Sequence, residues 1–173
     1  MLPIPACLRQ VLVVVAVAEA ASSGVQSGAV RLQVPLQKQP YNLCLPASVS
    51  MVLSYWGVEI APEAIAESVP LYKDGTTGED LRRFVETLGF QGFLVQPPFE
   101  DLVQHLEKQR PIIVSLLAGR KGRHAMVLIG VDPANRQVWL NDPASGEALP
   151  LATADFQRQF DASGRWTLLI VPR

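Results

Sequence analysis

The chain has 173 residues, 49% of them hydrophobic, and a formal net charge of −1 at pH 7. That length suits one domain with a single sizeable core. The near-neutral balance offers no basic face for nucleic acid and no acidic excess of the kind that keeps a chain disordered. Two histidines and two cysteines, with no pair at ligand spacing, argue against a zinc site. No phosphate-cradling glycine loop and no dinucleotide fingerprint occurs, so neither a metal nor a cofactor is expected.

The first 30 residues read as a leader and linker ahead of a domain spanning 31–173. Arg9 is followed by an unbroken apolar run from Val11 to Ala18 and then by Glu-Ala-Ala-Ser-Ser-Gly. This resembles a secretory signal, with cleavage after Ala18 or Ala20. The run falls well short of the roughly 20 apolar residues of a membrane-spanning helix. The expectation is an exported protein, periplasmic or extracellular, with membrane association only if the leader is retained. Cys7 belongs to the leader, so Cys44 would be the sole thiol of the processed chain. An unpaired thiol in an exported protein is a candidate reactive group.

Residues 24 to 40 are polar and irregular, ending in an extended entry, Val34-Pro-Leu-Gln37-Lys-Gln39-Pro40. The stretch from Cys44 to Gly57 reads as a helix, with Pro46 suited to its first turn and Gly57 to its left-handed stop. Val49, Met51, Val52, Leu53, Tyr55 and Trp56 spread round most of its circumference, the pattern of a buried helix. Cys44 then sits at the positive end of a central helix, where thiolate is favoured over thiol. A short helix is expected over Pro62 to Ser68. Thr77-Gly-Glu-Asp80 is a capping-box variant opening a third helix that ends at Gly89. A strand over Phe90 to Val95 and a helix over Phe99 to Gln109 follow. Four β-type runs come next: Ile112 to Leu117, Ala125 to Val131, Val138 to Asn141 and Trp166 to Val171, with a helix at Thr153 to Phe160 between the last two. Helices first and strands later is the α+β pattern.

A cysteine nucleophile needs a base, and His105 and His124 are the candidates. His105 lies mid-helix off the Leu102/Leu106 stripe and reads as a solvated surface residue. His124 opens a strand, and folding the next hairpin about Pro133 sets it opposite Asp142 on one face. A carboxylate there fixes the imidazole tautomer and leaves the other nitrogen for the thiol. A one-residue slip of register would turn Asn141 inward instead. The N–H groups at the helix head are aimed to stabilise an oxyanion, and Gln37 and Gln39 both lie near enough in sequence to add a side-chain donor. Arg120, Lys121 and Arg123 read as a solvated turn, or as a bias towards acidic substrates.

Val34-Pro-Leu-Gln37 with Cys44-Leu-Pro-Ala-Ser-Val-Ser-Met-Val-Leu-Ser-Tyr-Trp-Gly57 resembles the bacteriocin-processing, double-glycine leader peptidases and their relatives among papain-like cysteine peptidases. Gly122-Arg-His124-Ala-Met-Val-Leu-Ile-Gly130 and Val138-Trp-Leu-Asn-Asp142-Pro143-Ala-Ser-Gly146 resemble that family's histidine strand and Asp-Pro segment. The likeness runs in order from Val34 to the end. It implies a papain-like fold, with the Cys44 helix packed on an antiparallel sheet that bears His124 and Asp142. It further implies Cys44 as nucleophile, His124 as base, Asp142 as orienting acid and Gln37, with Gln39 in reserve, as oxyanion donor. The implied reaction is hydrolysis of a peptide or protein substrate through a thioester. An exporter or ATPase role, known in some members, is not carried over. Leu45 stands where the family usually has glycine, which keeps two alternatives open: an inactive peptide-binding relative, and an amidase or acyl transferase of the same chemistry.

Overall fold

The computed structural model describes residues 28–40, 42–73, 75–117 and 122–173. The expected leader up to residue 27, with Cys7, and the loop cations Arg120 and Lys121 lie outside the described residues. In chain order the elements are β1 (Val30–Arg31), α1 (Cys44–Tyr55), α2 (Pro62–Glu67), α3 (Gly78–Thr87), β2 (Phe90–Val95) and α4 (Phe99–Glu107). There follow β3 (Ile112–Leu117), β4 (Arg123–Asp132), β5 (Gln137–Asp142), β6 (Glu147–Ala152), α5 (Thr153–Ala162) and β7 (Thr167–Pro172). The sheet runs β2-β7-β3-β4-β5-β6, with every pairing antiparallel and β1 added alongside β4. This is the α+β architecture expected from the order of elements.

The helix α1 is buried from Pro46 through Ser54, as its apolar circumference requires. It packs chiefly on β4 and also touches β3, α2 and α3. Gly57, at φ +84°, supplies the left-handed residue that ends it. Buried hydroxyls on such a helix need partners, and Gln37 provides one each for Ser50 and Ser54. Its Oε1 accepts from Ser50 at 2.8 Å and its Nε2 donates to Ser54 at 3.2 Å, while Ser54 donates to Glu59 at 2.8 Å. Thr77 caps α3 by accepting from the Asp80 N–H at 3.1 Å, as the capping box predicts. On the sheet, α4 and α5 meet through Phe99 against Phe156, with Phe156 stacked on Phe160.

Two strands have no clear signature in the sequence. β6 contains Pro150 and pairs only with β5, so it is an edge strand, the one setting in a sheet that tolerates proline. β1 is two residues long and continues along β4 just past the point where β3 ends. The pairing there brings Arg31, Gly130 and Trp139 side by side across three strands. With no Cβ at Gly130, the Arg31 guanidinium reaches the Trp139 ring at 3.8 Å from its centroid, a cation–π contact.

The β4–β5 register departs from the expected hairpin about Pro133. Asp132 pairs with Gln137 and Val131 with Val138, around a turn in which Asp132 accepts from the Asn135 N–H at 3.0 Å and Arg136 adopts φ +52°. Leu128 then pairs with Leu140, so Ile129 is an extra residue on β4, a β-bulge. His124 is therefore two residues past the position opposite Asp142, not directly across from it.

A Cβ added at Gly130 would lie 2.6 Å from the Val30 carbonyl oxygen and 3.2 Å from the Arg31 Cα, both backbone atoms. Gly130→Ala should therefore lower unfolding stability by about 1–3 kcal/mol, the usual range for overpacking. Urea denaturation checks this; an unchanged midpoint would mean that β1 does not pack as described.

Candidate active site

The chain reaches α1 through Asn42, at φ +60°, and the Leu43 N–H donates to the Pro40 carbonyl at 3.2 Å. No side chain caps the helix and no acidic residue occupies its first turn. The head of α1 therefore keeps its positive character, with nothing in that turn to neutralise it. Pro46 has no N–H, and that of Ala47 already bonds to the Leu43 carbonyl at 2.9 Å. The backbone N–H groups of Cys44 and Leu45 are thus the donors at the very tip.

Cys44 is half-buried and unpaired, in reach of the His124 ring and of backbone groups of Ala125 and Leu45. Burial pushes its thiol up, but the hydrogen bond to His124, the bonds to Ala125 and Leu45 and the imidazole charge outweigh it. The net result is a thiol held below its ordinary value. His124 is shifted upward, first by its bond to Cys44, against the opposing effect of burial, and then by Asp142. Its Nε2 lies 2.6 Å from Asp142 Oδ1, which leaves Nδ1 as the nitrogen for the sulfur. Asp142 is itself partly desolvated, yet the His124 contact and the Ala144 N–H, at 2.8 Å, keep its carboxyl below the usual range.

The bulge at Ile129 makes this contact possible. Side chains alternate faces along a strand, so a one-residue shift turns all later residues over. Continued unbroken from the turn, the register would set Asp142 opposite Val127, and His124 would face the other way. With the extra residue, Asn141 pairs with Val127 and Asp142 comes level with Met126, on the same face as His124. Asn141 points elsewhere: its buried Nδ2 donates to the Val34 carbonyl at 3.0 Å.

The remaining predicted residues divide. Gln37 is not brought to the thiol. Its amide is held by Ser50 and Ser54, which lie about 9 and 15 Å along the helix axis from Cys44 at 1.5 Å per residue. Gln39 lies on the right side of the helix head, since its N–H donates at 2.8 Å to the carbonyl of Pro143, next to Asp142. Its Oε1 is buried with no partner among the described residues. His105 is half-buried, not solvated: its Nδ1 has no partner, and burial with the Arg110 and Lys108 charges lowers its pKa. Leu45 lines a cavity beside the thiol together with Thr76, Gly78, Ser115 and Trp166, none of which carries a signal in the sequence. Among the described residues no acidic, histidine and cysteine cluster could hold a metal, and no helix is long and apolar enough to cross a membrane.

This chain is similar to several known proteins in sequence and in fold. It is 27% identical over 115 residues to the lactococcin-G-processing and transport ATP-binding protein LagD of Lactococcus lactis subsp. lactis. That match covers 65% of this chain and 16% of the transporter, so the chain spans about one sixth of that relative's length. A Bacillus anthracis protein described as a C39-like peptidase superposes with TM-score 0.73 at 16% identity, over 85% of this chain and 99% of that one. A double glycine motif protease from an AMS/PCAT transporter, solved with its leader peptide, does so with TM-score 0.68 at 24% identity, over 86% and 100%. These likenesses establish the papain-like fold of C39 peptidase domains. The model of the Peptidase_C39 like family matches residues 31–168, most of the chain, and the chain belongs to that family.

Proposed function

We propose that the protein is a cysteine peptidase in which Cys44 is the nucleophile, His124 the general base and acid, and Asp142 the group that orients the imidazole. Family membership supports thiol peptidase chemistry in general. The observation that carries the particular assignment is the single imidazole in contact with both the Cys44 thiol and the Asp142 carboxylate. The Cys44 thiolate attacks the peptide carbonyl carbon, and the resulting oxyanion takes hydrogen bonds from the helix-head N–H groups and the Gln39 amide. The His124 imidazolium gives its proton to the leaving amine, and the C–N bond breaks to leave a thioester on Cys44. Water, deprotonated by His124, then attacks the thioester, releasing a carboxylate product and restoring the thiol–imidazole pair. Two relatives point to a peptide as the substrate: one is named for processing lactococcin G, and one was solved with a leader peptide.

Gln39, in place of Gln37, is the oxyanion donor in this reading. The Gln37 amide is bonded to Ser50 and Ser54, well along the helix from the thiol. The oxygen of Gln39 is buried without a partner, and exchanging its O and N positions would set a donor there.

The decisive test is cleavage of a peptide library by wild type, Cys44→Ala and His124→Ala. Cleavage products should come from the wild type alone, and cleavage that persists in Cys44→Ala would overturn the assignment. Gln39→Ala should lower kcat by about 10²–10³-fold with little change in KM, the usual cost of one oxyanion donor. Gln37→Ala should instead spare kcat and destabilise the fold by about 0.5–1.5 kcal/mol per lost hydrogen bond, since Ser50 and Ser54 keep the Ile60 carbonyl and Glu59 as partners.

The directions of the shifts fix the pH dependence. Lowering the Cys44 value and raising the His124 value both widen the range of pH in which thiolate and imidazolium are populated together. Iodoacetamide should alkylate Cys44 well below the free-thiol pKa of about 8.5, and His124→Ala should return the profile to that region. Equal profiles in the two proteins would show that His124 does not activate the thiol.

We further place the working protein outside the cytoplasm, on the Arg9 to Ala20 pattern. Amino-terminal sequencing of the exported form should begin just after Ala18 or Ala20.

A further inference from the structure

Next to Cys44 a cavity of about 210 Å³ opens between α1 and the sheet, lined by Leu45, Thr76, Gly78, Ser115, Arg123 and Trp166. Its wall is the Trp166 indole, which lies so close on Gly78 that any Cβ there would collide with the ring. The Thr76 hydroxyl oxygen is buried in the lining with no hydrogen-bond partner among the described residues. A buried hydroxyl in that state is a donor without an acceptor. Arg123 is exposed and makes no ion pair among the described residues, in contrast to Arg82, Arg83, Arg158 and Arg165. Its guanidinium lies over Gly164, which at φ +77° presents bare backbone and leaves the arginine room. The cavity thus combines an aromatic wall, a hydroxyl wanting an acceptor and a free cation at its mouth, and it adjoins the sulfur.

We propose that this cavity takes the side chain of an aspartate or glutamate flanking the bond that Cys44 attacks. The stem lies against Trp166, and the carboxylate is bound by the Arg123 guanidinium and the Thr76 hydroxyl. Guanidinium suits a carboxylate through paired donors, and the hydroxyl supplies a further hydrogen bond. A glycine at that place in the substrate would leave both groups unsatisfied and the cavity empty. The binding itself stands apart from turnover, but its role as a selector of cut sites rests on the peptidase reading above.

The test offers one peptide library, randomised on either side of a fixed extended core, to two proteins. Immobilised Cys44→Ala protein reports retention, and wild type reports cleavage, each read by mass spectrometry. Glutamate should be favoured over glutamine at one position by about fivefold in both arms, the scale of a partly exposed ion pair. Arg123→Gln should flatten that preference, Arg123→Glu should turn it towards lysine and arginine, and Thr76→Val should weaken it, with circular dichroism confirming that each variant folds. Equal use of glutamate and glutamine, or a preference that survives in Arg123→Gln, overturns the proposal. Cleavage without acidic preference removes the pocket assignment and keeps the peptidase. Retention of acidic peptides without any cleavage keeps the pocket and removes the peptidase.

Discussion

The imidazole of His124 is the hinge of the site, because neither of its neighbours holds its charge well alone. Cys44 and Asp142 are both partly desolvated, and burial by itself raises the proton affinity of each. A cation between them reverses both tendencies, and they in turn raise its own affinity for the proton. The three shifts are one interaction seen from three atoms. Such mutual support depends on distance, so the frame must hold a helix head and two strands in fixed relation.

The frame does this through adjacent residues of β5. Asp142 faces His124, while Asn141, on the other side of the strand, holds the Val34 carbonyl of the segment that leads into α1. Pro143 then accepts from Gln39, and Gly146 lies against Lys38. The end of one hairpin therefore grips the entry chain at several points while presenting the carboxylate. At its other end α1 is fixed by Gln37, which bridges about one turn of the helix through Ser50 and Ser54. The helix that carries the Cys44 thiol is thus positioned by polar contacts to its approach and by apolar packing along its length.

Local chemistry made much of this legible. The buried helix with its thiol, Pro46 and Gly57, the Thr77 cap and the alternating strands all follow from residue type and period. The pairing of His124 with Asp142 was reachable only in outline, because a hairpin centred on Pro133 gives the right face by a wrong route. The Asp132–Asn135 turn and the bulge at Ile129 each alter the register, and no residue type announces a bulge at an isoleucine. The choice between Gln37 and Gln39 depended on which amide the serines of α1 would claim, a tertiary fact. His105 likewise lies off the apolar stripe of its helix yet is half-covered by the fold. The cavity drew residues from α1, α3, β3 and β4 and from loops far apart in sequence, so no short motif could mark it.

Pro150 in β6 carries a consequence beyond the site. β6 is an outer strand of the sheet, and an outer strand offers unpaired backbone groups to any passing chain. Proline lacks the amide hydrogen that a stranger would need for a continuous ladder. The same residue that hid β6 from sequence reading guards that border against unwanted self-association. Peptides in extended form are thereby denied a place along that flank.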